Sequence, residues 1–441
     1  MSSIPVYLFT FNCARQLINP HAVAPHLFAA LDPSAPPPAL LAIALQEVCP
    51  LSYGLLAADR ISPYLDQWTA VPHLATAAAA ANLPEYILVA RESIGMTALL
   101  LFAATPERVA NIRFAAAGFG PTGIANKGAV AAKFTYSHPP STAVEITIVS
   151  AHLAAHEHCT DQRNADWEAL VRGLVFDTAA GQTPAPSHPG TSEATPLLSK
   201  SQSHPAIDSG IAKPPSASGI YSPGAHLLVL GDLNYRTSAT APSPGDYASA
   251  FPHAPADLAA FLTRDQLSAE HGAGNTLHGL VEAPVTFPPT YKYTSSKRHT
   301  AAVTDKDTVV SKANEWNWAP HRWPSWCDRI LWLPVPNTNP SVHNDVTPHK
   351  YTSIPSIAFS DHRPVALHAS LPAVVTTDGN DIRANPPFGV NSDWAVQRLN
   401  AVARERALGY AILGMTTPGG IAIVGCAVFG VLVLWWAVAG L

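Results

Sequence analysis

Leu227-Leu-Val-Leu-Gly-Asp-Leu-Asn-Tyr-Arg236 reads as a buried strand that runs out into polar residues. Leu227–Leu230 is a short continuous apolar run, the pattern of a strand covered on both faces. Gly231 permits a tight exit. Asp232 and Asn234, two apart, point the same way if the strand geometry continues. An Asp can accept a proton from water, and an Asn can fix that water or a phosphate oxygen. The same block also suits an Asx turn after a strand, and taken alone it leaves the two readings level.

Working outward, the same arrangement recurs in five other places. Phe11-Asn12 closes Val6–Phe11, and Gln46-Glu47 closes Ala39–Leu45. Ser150-Ala-His152-Leu153 closes Val144–Ser150. Asp328-Arg329 opens Ile330–Trp332, and Asp361-His362 precedes Pro364–His368. Ile87–Val89, Ala98–Phe102 and Ala129–Phe134 read as further strands, with a turn at Ser137–Thr142. Asp161–Phe176 has helical spacing, with Trp167, Leu170, Leu174 and Val175 on one face. Strands and helices mix without strict alternation, which favours α/β layers of largely antiparallel sheets over a doubly wound parallel sheet. Polar groups are costly to bury unless paired or bound to metal, so their repetition at strand ends predicts one shared pocket.

The chain has 441 residues, 47% of them apolar, enough for a large core. The net charge of −5 excludes the basic footprint of a non-specific nucleic-acid binder, so no nucleic-acid partner is expected. Cys13, Cys49, Cys159, Cys327 and Cys426 show no metal-ligand spacing and fit reduced thiols in a cytosolic domain. No basic leader precedes the first strand, so no signal peptide is expected. Thr178–Pro223, rich in Pro, Ser, Ala and Gly, is expected to be a disordered insertion within one domain spanning 1–375. Lys297–Ala313 is expected to be a second polar loop. Thr376–Asn391 reads as a linker, within a linker and juxtamembrane segment at 376–408. In the tail, 409–441, Ile421–Leu441 is 21 residues without Asp, Glu, Lys, Arg, His, Asn or Gln. At roughly 1.5 Å per residue it spans a hydrocarbon core, and it is expected to be a transmembrane tail anchor with the domain in the cytosol.

Glu47, with Asn12 close by, is a candidate ligand for a hard cation, since Mg²⁺ favours one or two carboxylates plus phosphate oxygens and water. His362 beside acidic groups could stay protonated and stabilise a phosphorane, oriented by Asp328. His152 offers a second imidazole.

The ordered set resembles the endonuclease/exonuclease/phosphatase superfamily, and more narrowly the inositol polyphosphate 5-phosphatases. Leu230-Gly-Asp-Leu-Asn-Tyr-Arg236 and Pro324-Ser-Trp-Cys-Asp-Arg-Ile-Leu331 carry the narrower match. Asn126-Lys127-Gly128, Ser150–Glu157 with Gln162-Arg-Asn164, and Phe287-Pro-Pro-Thr-Tyr-Lys-Tyr293 support it. The resemblance implies a four-layer, DNase I-like α/β sandwich and a Mg²⁺ bound by Glu47 with Asn12. It implies Asp232 and Asn234 on the attacking water, His362 paired with Asp328 and His152 on the scissile phosphate, and Asp361 completing the charge. Attack by water would be direct and in line. Tyr291, Lys292 and Arg322 would meet a 4-phosphate, Asn126 and Lys127 a 1-phosphate, and Arg329 is counted with them. Pro320, Thr294 and Ala129 depart from the family pattern, which weakens 4-phosphate recognition more than the chemistry. A tail-anchored arrangement is similar to that of a family member of the endoplasmic reticulum and implies a phosphoinositide lipid substrate, foremost phosphatidylinositol 4,5-bisphosphate, at that membrane. The competing readings are a phosphodiesterase of the superfamily, nuclease or sphingomyelinase, and a catalytically silent phosphoinositide-binding scaffold.

Overall fold

In the computed structural model, β1 (Ser3–Asn12) sends Ile4, Val6 and Leu8 into one apolar cluster and Tyr7, Phe9 and Phe11 into another. β2 (Leu40–Gln46) splits the same way, Leu40, Ala42 and Ala44 against Leu41, Ile43 and Leu45. Strand side chains alternate between faces, so a strand apolar at every position must be covered on both. The structure describes residues 3–56, 58–78, 83–120, 122–138, 142–176, 218–294, 316–336, 345–376 and 379–416, with 419, 421–422, 426 and 429–430 beyond them.

The other strands are β3 (Ile87–Ile94), β4 (Thr97–Ala103), β5 (Val109–Gly118), β6 (Gly128–His138), β7 (Thr142–His152), β8 (Ala225–Asp232), β9 (Val281–Glu282), β10 (Asp328–Trp332), β11 (Thr347–Ser353) and β12 (Val365–Pro372). They form two sheets, in the orders β11-β12-β1-β2-β4-β3 and β5-β6-β7-β8-β10-β9. Only β1–β2 and β7–β8 are parallel pairs among the described strands. The sheets face each other across a core that joins Leu8, Leu99 and Leu101 to Phe134, Ile148 and Leu230. Outside the first sheet, Phe9 and Phe11 pack on Trp68 of the helix Ala58–Ala78, with ring centroids 5.9 and 6.0 Å apart. Outside the second, Val149 and Val229 pack on Trp167 and Leu170 of the helix Thr160–Gly173. Helix, sheet, sheet and helix make the four layers.

Among the elements not anticipated, three show why. β5 is Ala-rich and interrupted by Asn111 and Arg113, so its pairing with β6 decides its form. β11 is a polar edge strand, exposed at Thr347, Pro348 and Lys350. The helix Ala58–Ala78 contains Pro63 and Pro72, which spoil its periodicity.

The expected insertion lies outside the described residues except for its last part, where Ile220 and Tyr221 are buried. Phe176 and Ser218 exchange backbone hydrogen bonds of 2.9 and 3.4 Å at its two ends. Buried Lys133 donates to Gly219 O at 2.7 Å and Ser222 Oγ at 2.6 Å beside that junction. The expected loop Lys297–Ala313 lies outside the described residues.

The expected linker is corrected where it is described. Arg383 is buried and donates to Ala225 O at 2.9 Å, Leu333 O at 3.1 Å and Pro334 O at 2.8 Å. Asn391 N bonds Arg172 O at 2.8 Å, and a helix, Trp394–Thr416, follows. These carbonyls end strands and a helix of the domain and need donors, so the segment binds to the domain as a strap. The expected span 421–441 lies largely outside the described residues. Among the described residues no helix is long and apolar enough to cross a membrane.

Phe9 is fully buried between sheet and helix. Phe9→Ala should therefore cost about 3–5 kcal/mol in urea unfolding, the range for emptying an aromatic site; a loss below about 1 kcal/mol would show that this layer is loosely packed.

Candidate active site

Strand register delivers the polar residues to one place. In the parallel pair β7–β8, Ala151 lies opposite Gly231 and His152 opposite Asp232. In the antiparallel pair β8–β10, Asp328 lies opposite Asp232. In the first sheet Asn12 lies opposite Gln46, and Thr10 opposite Val365, so Glu47 and His362 emerge beside the end of β1. Gly231 is required by close approach, because a Cβ there would lie 1.9 Å from Ala151 O. Glu47 and Asn234 leave their strands in the left-handed region, with φ of 46° and 58°. Both backbones therefore turn sharply at the site.

Asp232 is buried at the centre. Its Oδ2 accepts from Asn12 Nδ2 at 2.9 Å and its Oδ1 from Asn234 N at 3.1 Å. His152 Nε2 lies 3.3 Å and His362 Nε2 3.9 Å from Oδ2. Burial alone would raise this carboxyl, but His362 and then His152 more than offset it, and it titrates far below the ordinary carboxylate range.

His362 and Asp328 form a second buried unit, Nδ1 to Oδ2 at 2.8 Å. Thr290 Oγ1 donates to the same Oδ2 at 2.7 Å and accepts from Asp328 N at 3.2 Å, so the carboxylate is fixed from two directions. Burial opposes charge on His362, yet Asp328 and then Asp232 outweigh it and push the imidazole up to about 9. Burial pushes Asp328 up to about 6 against the pull of His362. Ligand atoms of Asp232, Asp328 and His362 all lie within 4.8 Å of one another, close enough to hold a metal. The Nδ1 of His362 is already committed to Asp328, however, which makes this a carboxylate–imidazole relay and leaves the cation to another group.

Glu47 is that group. Its side chain is 19% exposed, against 1% for Asp232 and 0% for Asp328. Arg15 Nε lies 2.9 Å from its Oε2 and Lys127 Nζ 3.8 Å from its Oε1. Burial would raise it, but His152, Lys127 and Arg15 hold it below its usual value. Asn12 Oδ1 accepts from Ala14 N at 3.0 Å and keeps a free lone pair. A reachable ionised carboxylate beside an amide oxygen is a hard-donor set and fits Mg²⁺.

Lys127 also touches His152, and burial and then Lys127 hold this imidazole below its usual value. Asn234 Nδ2 donates to Leu153 O at 3.1 Å, while its Oδ1 accepts from Arg236. Asn234 therefore locks the loop, with one amide hydrogen spent on Leu153 O and the second left for a water or a phosphate oxygen. Lys292 Nζ pairs with Asp361 Oδ2 at 2.9 Å. The Tyr291 ring sits 4.7 Å from that of His362 and 4.3 Å from the Arg236 guanidinium. Arg236 is buried, and its Nη1 has no hydrogen-bond partner among the described residues. A cavity of about 450 Å³ opens beside this group, lined by Gln16, Lys292, Tyr293, Phe359 and Asp361.

Other expected site residues stand elsewhere. Asn126 is exposed at the rim. Arg322 pairs with Glu157 at 2.7 Å and so faces the site's border through a carboxylate. Arg329 is a correction: it is buried on the opposite face of β10, bonded to Asp265 at 2.9 Å and to Glu282. Successive strand residues face opposite ways, so Asp328 in the site sends Arg329 out of it. Reading the residues one by one missed Arg15, Thr290 and Glu157. Thr290 stood inside the Phe287–Tyr293 block and Glu157 at the end of the Ser150–Glu157 block, whereas nothing local marked Arg15.

The model of endonuclease/exonuclease/phosphatase family 2 matches residues 9–368. The chain belongs to this family. Among its curated relatives are the Arabidopsis thaliana type I inositol polyphosphate 5-phosphatase 13, 28% identical over 58% of this chain and 20% of the relative. Another is the inositol-1,4,5-trisphosphate 5-phosphatase 1 of Schizosaccharomyces pombe, 26% identical over 64% of this chain and 20% of the relative. The chain thus spans about a fifth of the length of these relatives. The solved SPsynaptojanin inositol polyphosphate 5-phosphatase domain, in complex with inositol (1,4)-bisphosphate and calcium ion, matches with TM-score 0.55 and 18% identity over 94% of both chains. That likeness establishes the fold.

The His362 relay has a pH signature. Its folded value is raised, so the stability it adds is fully present below about 6.5 and is lost as pH rises through about 9. Melting temperatures in EDTA should fall across that window for the native chain and less for His362→Gln. Parallel profiles for the two would contradict the raised imidazole.

Proposed function

We propose that this chain removes the 5-phosphate of phosphatidylinositol 4,5-bisphosphate with Mg²⁺, at the cytosolic face of a membrane. The observation that carries the reading is the opposed pair at the site's centre. Anionic Asp232 and cationic His362 face one another, with His362 held by Asp328 at 2.8 Å. Water placed between them would meet an acceptor, and the phosphate would meet a donor.

Asp232 titrates too low to be a strong base, so its part is chiefly to orient the water and to receive the proton as the phosphorus–oxygen bond forms. Phosphoryl transfer through a loose transition state needs little more from the nucleophile. His362 Nε2–H points at charge developing on the phosphate oxygens, and Asp328 fixes its direction. Glu47 and Asn12 would hold Mg²⁺, which when bound neutralises charge on the phosphate and leaving oxygen. Lys292 and Tyr291, backed by the buried Arg236, form a donor group suited to a second phosphate. The curated relatives, named as inositol polyphosphate phosphatases, favour a monoester over a diester. The apolar run Ile421–Leu441 is long enough for a membrane anchor, which would hold the site near lipid headgroups.

The test is phosphate release by the full chain in detergent micelles. Short-chain phosphatidylinositol 4,5-bisphosphate, the 4-phosphate lipid, inositol 1,4,5-trisphosphate and a phosphodiester are supplied with Mg²⁺ or EDTA. Release from the first, absent from the 4-phosphate lipid and with EDTA, and lowered about 10²–10⁴-fold in Asp232→Asn, is the expected result. Cleavage of the diester alone, or no release at all, would replace this reading by the phosphodiesterase or the silent scaffold.

A further inference from the structure

The helix Trp394–Thr416 packs against the domain beside the site. It approaches closely at Gly409, where a Cβ would lie 2.8 Å from Leu56 Cγ and 3.3 Å from Leu55 Cβ. One turn earlier, Glu405 is buried with its carboxylate used from two sides. Arg398 Nη1 and Nη2 bond Oε1 and Oε2 at 2.7 and 3.0 Å. Ala125 N donates to the same Oε1 at 3.0 Å, and Arg404 donates to Thr122 O at 3.0 Å. A buried carboxylate is costly, and an ion pair with Arg398 on the helix surface would not require burial. The bond to Ala125 does.

Ala125 belongs to the turn that delivers Lys127. Phe119 N bonds Lys127 O at 3.0 Å, Gly123 N bonds Gly120 O at 3.0 Å and Asn126 N bonds Ile124 O at 3.0 Å, so 122–127 is tied back to Phe119 and Gly120. Its far side rests directly on the β3–β4 turn, since a Cβ on Gly95 would lie 1.7 Å from Ala125 O. The turn is therefore clamped between Gly95 and Glu405. Two residues on, Lys127 touches His152 and lies 3.8 Å from Glu47.

We infer that Glu405 is a positioning residue: through the Ala125 N–H it fixes the 122–127 turn and sets Lys127 against His152 and Glu47. The inference rests on the catalytic reading of that site. It makes the segment leading to the apolar tail part of the active-site frame.

Amine acetylation of the full chain in EDTA, read by mass spectrometry at Lys127 against exposed Lys350, tests this without substrate. Glu405→Ala should raise Lys127 labelling about tenfold, the scale of one lost buried hydrogen bond. Glu405→Gln, whose amide oxygen keeps the acceptor, should stay within about twofold. Gly409→Leu, which pries the helix away without touching Glu405, should resemble Glu405→Ala and keeps the test open if that variant fails to fold. In phosphate release, kcat/KM should follow the same order. Unchanged Lys127 labelling in folded Glu405→Ala or in Gly409→Leu, or equal labelling in the Ala and Gln variants, would overturn the inference. If the native chain releases no phosphate, the catalytic reading fails while the labelling still decides what Glu405 does.

Discussion

A negative charge with almost no exposed surface organises this protein. Asp232 could not remain ionised in an apolar core without partners, because an isolated buried carboxylate would take up a proton instead. Its partners come from both sheets: Asn12 ends β1 of the first and His152 ends β7 of the second, while His362 precedes β12 of the first. The compensation of one charge therefore ties together the two halves of the sandwich. A slip of one residue in β7–β8 would remove His152 from Asp232 and turn every alternate apolar side chain outward, so site and core share one register.

The parallel pairs matter for the same reason. β1–β2 and β7–β8 bring strand ends of like direction side by side, and the antiparallel β10 and β12 begin in the same region. Strand ends leave backbone groups free and permit sharp turns, which Glu47 and Asn234 use. The acid and base environments then separate by neighbours. Asp232 faces two imidazoles and stays low, whereas Asp328 shares its charge with one imidazole, and its Oδ1 has no hydrogen-bond partner among the described residues.

The sandwich and most of the site were legible in the sequence because both depend on local pattern. Leu227–Leu230 and Ala39–Leu45 are apolar at every position, and a polar residue after such a run must be turned inward at the site or outward to water. What could not be read was choice between neighbours and pairing across distance. Asp328 and Arg329 are adjacent and equally polar, and only the facing of β10 separates the relay from a structural ion pair. Arg15 and Arg322 act through Glu47 and Glu157, and the second of these pairs spans 165 residues. The strap at Arg383 was unreadable because a Pro-, Asn- and Gly-bearing stretch can follow a surface as readily as it can leave it. Its anchoring acceptors are carbonyls, which every sequence has.

The junction of Phe176 and Ser218 bears on how this chain can vary. Residues 177–217 depart and return at two paired backbone positions, with Lys133 bonded beside them. Closing a loop whose ends already meet costs only a logarithmic increment with length, about 0.6 kcal/mol per doubling. Added length between those two residues therefore carries only a small closure cost. The paired ends at Phe176 and Ser218 thus make the junction a place where new sequence can be inserted at little entropic cost.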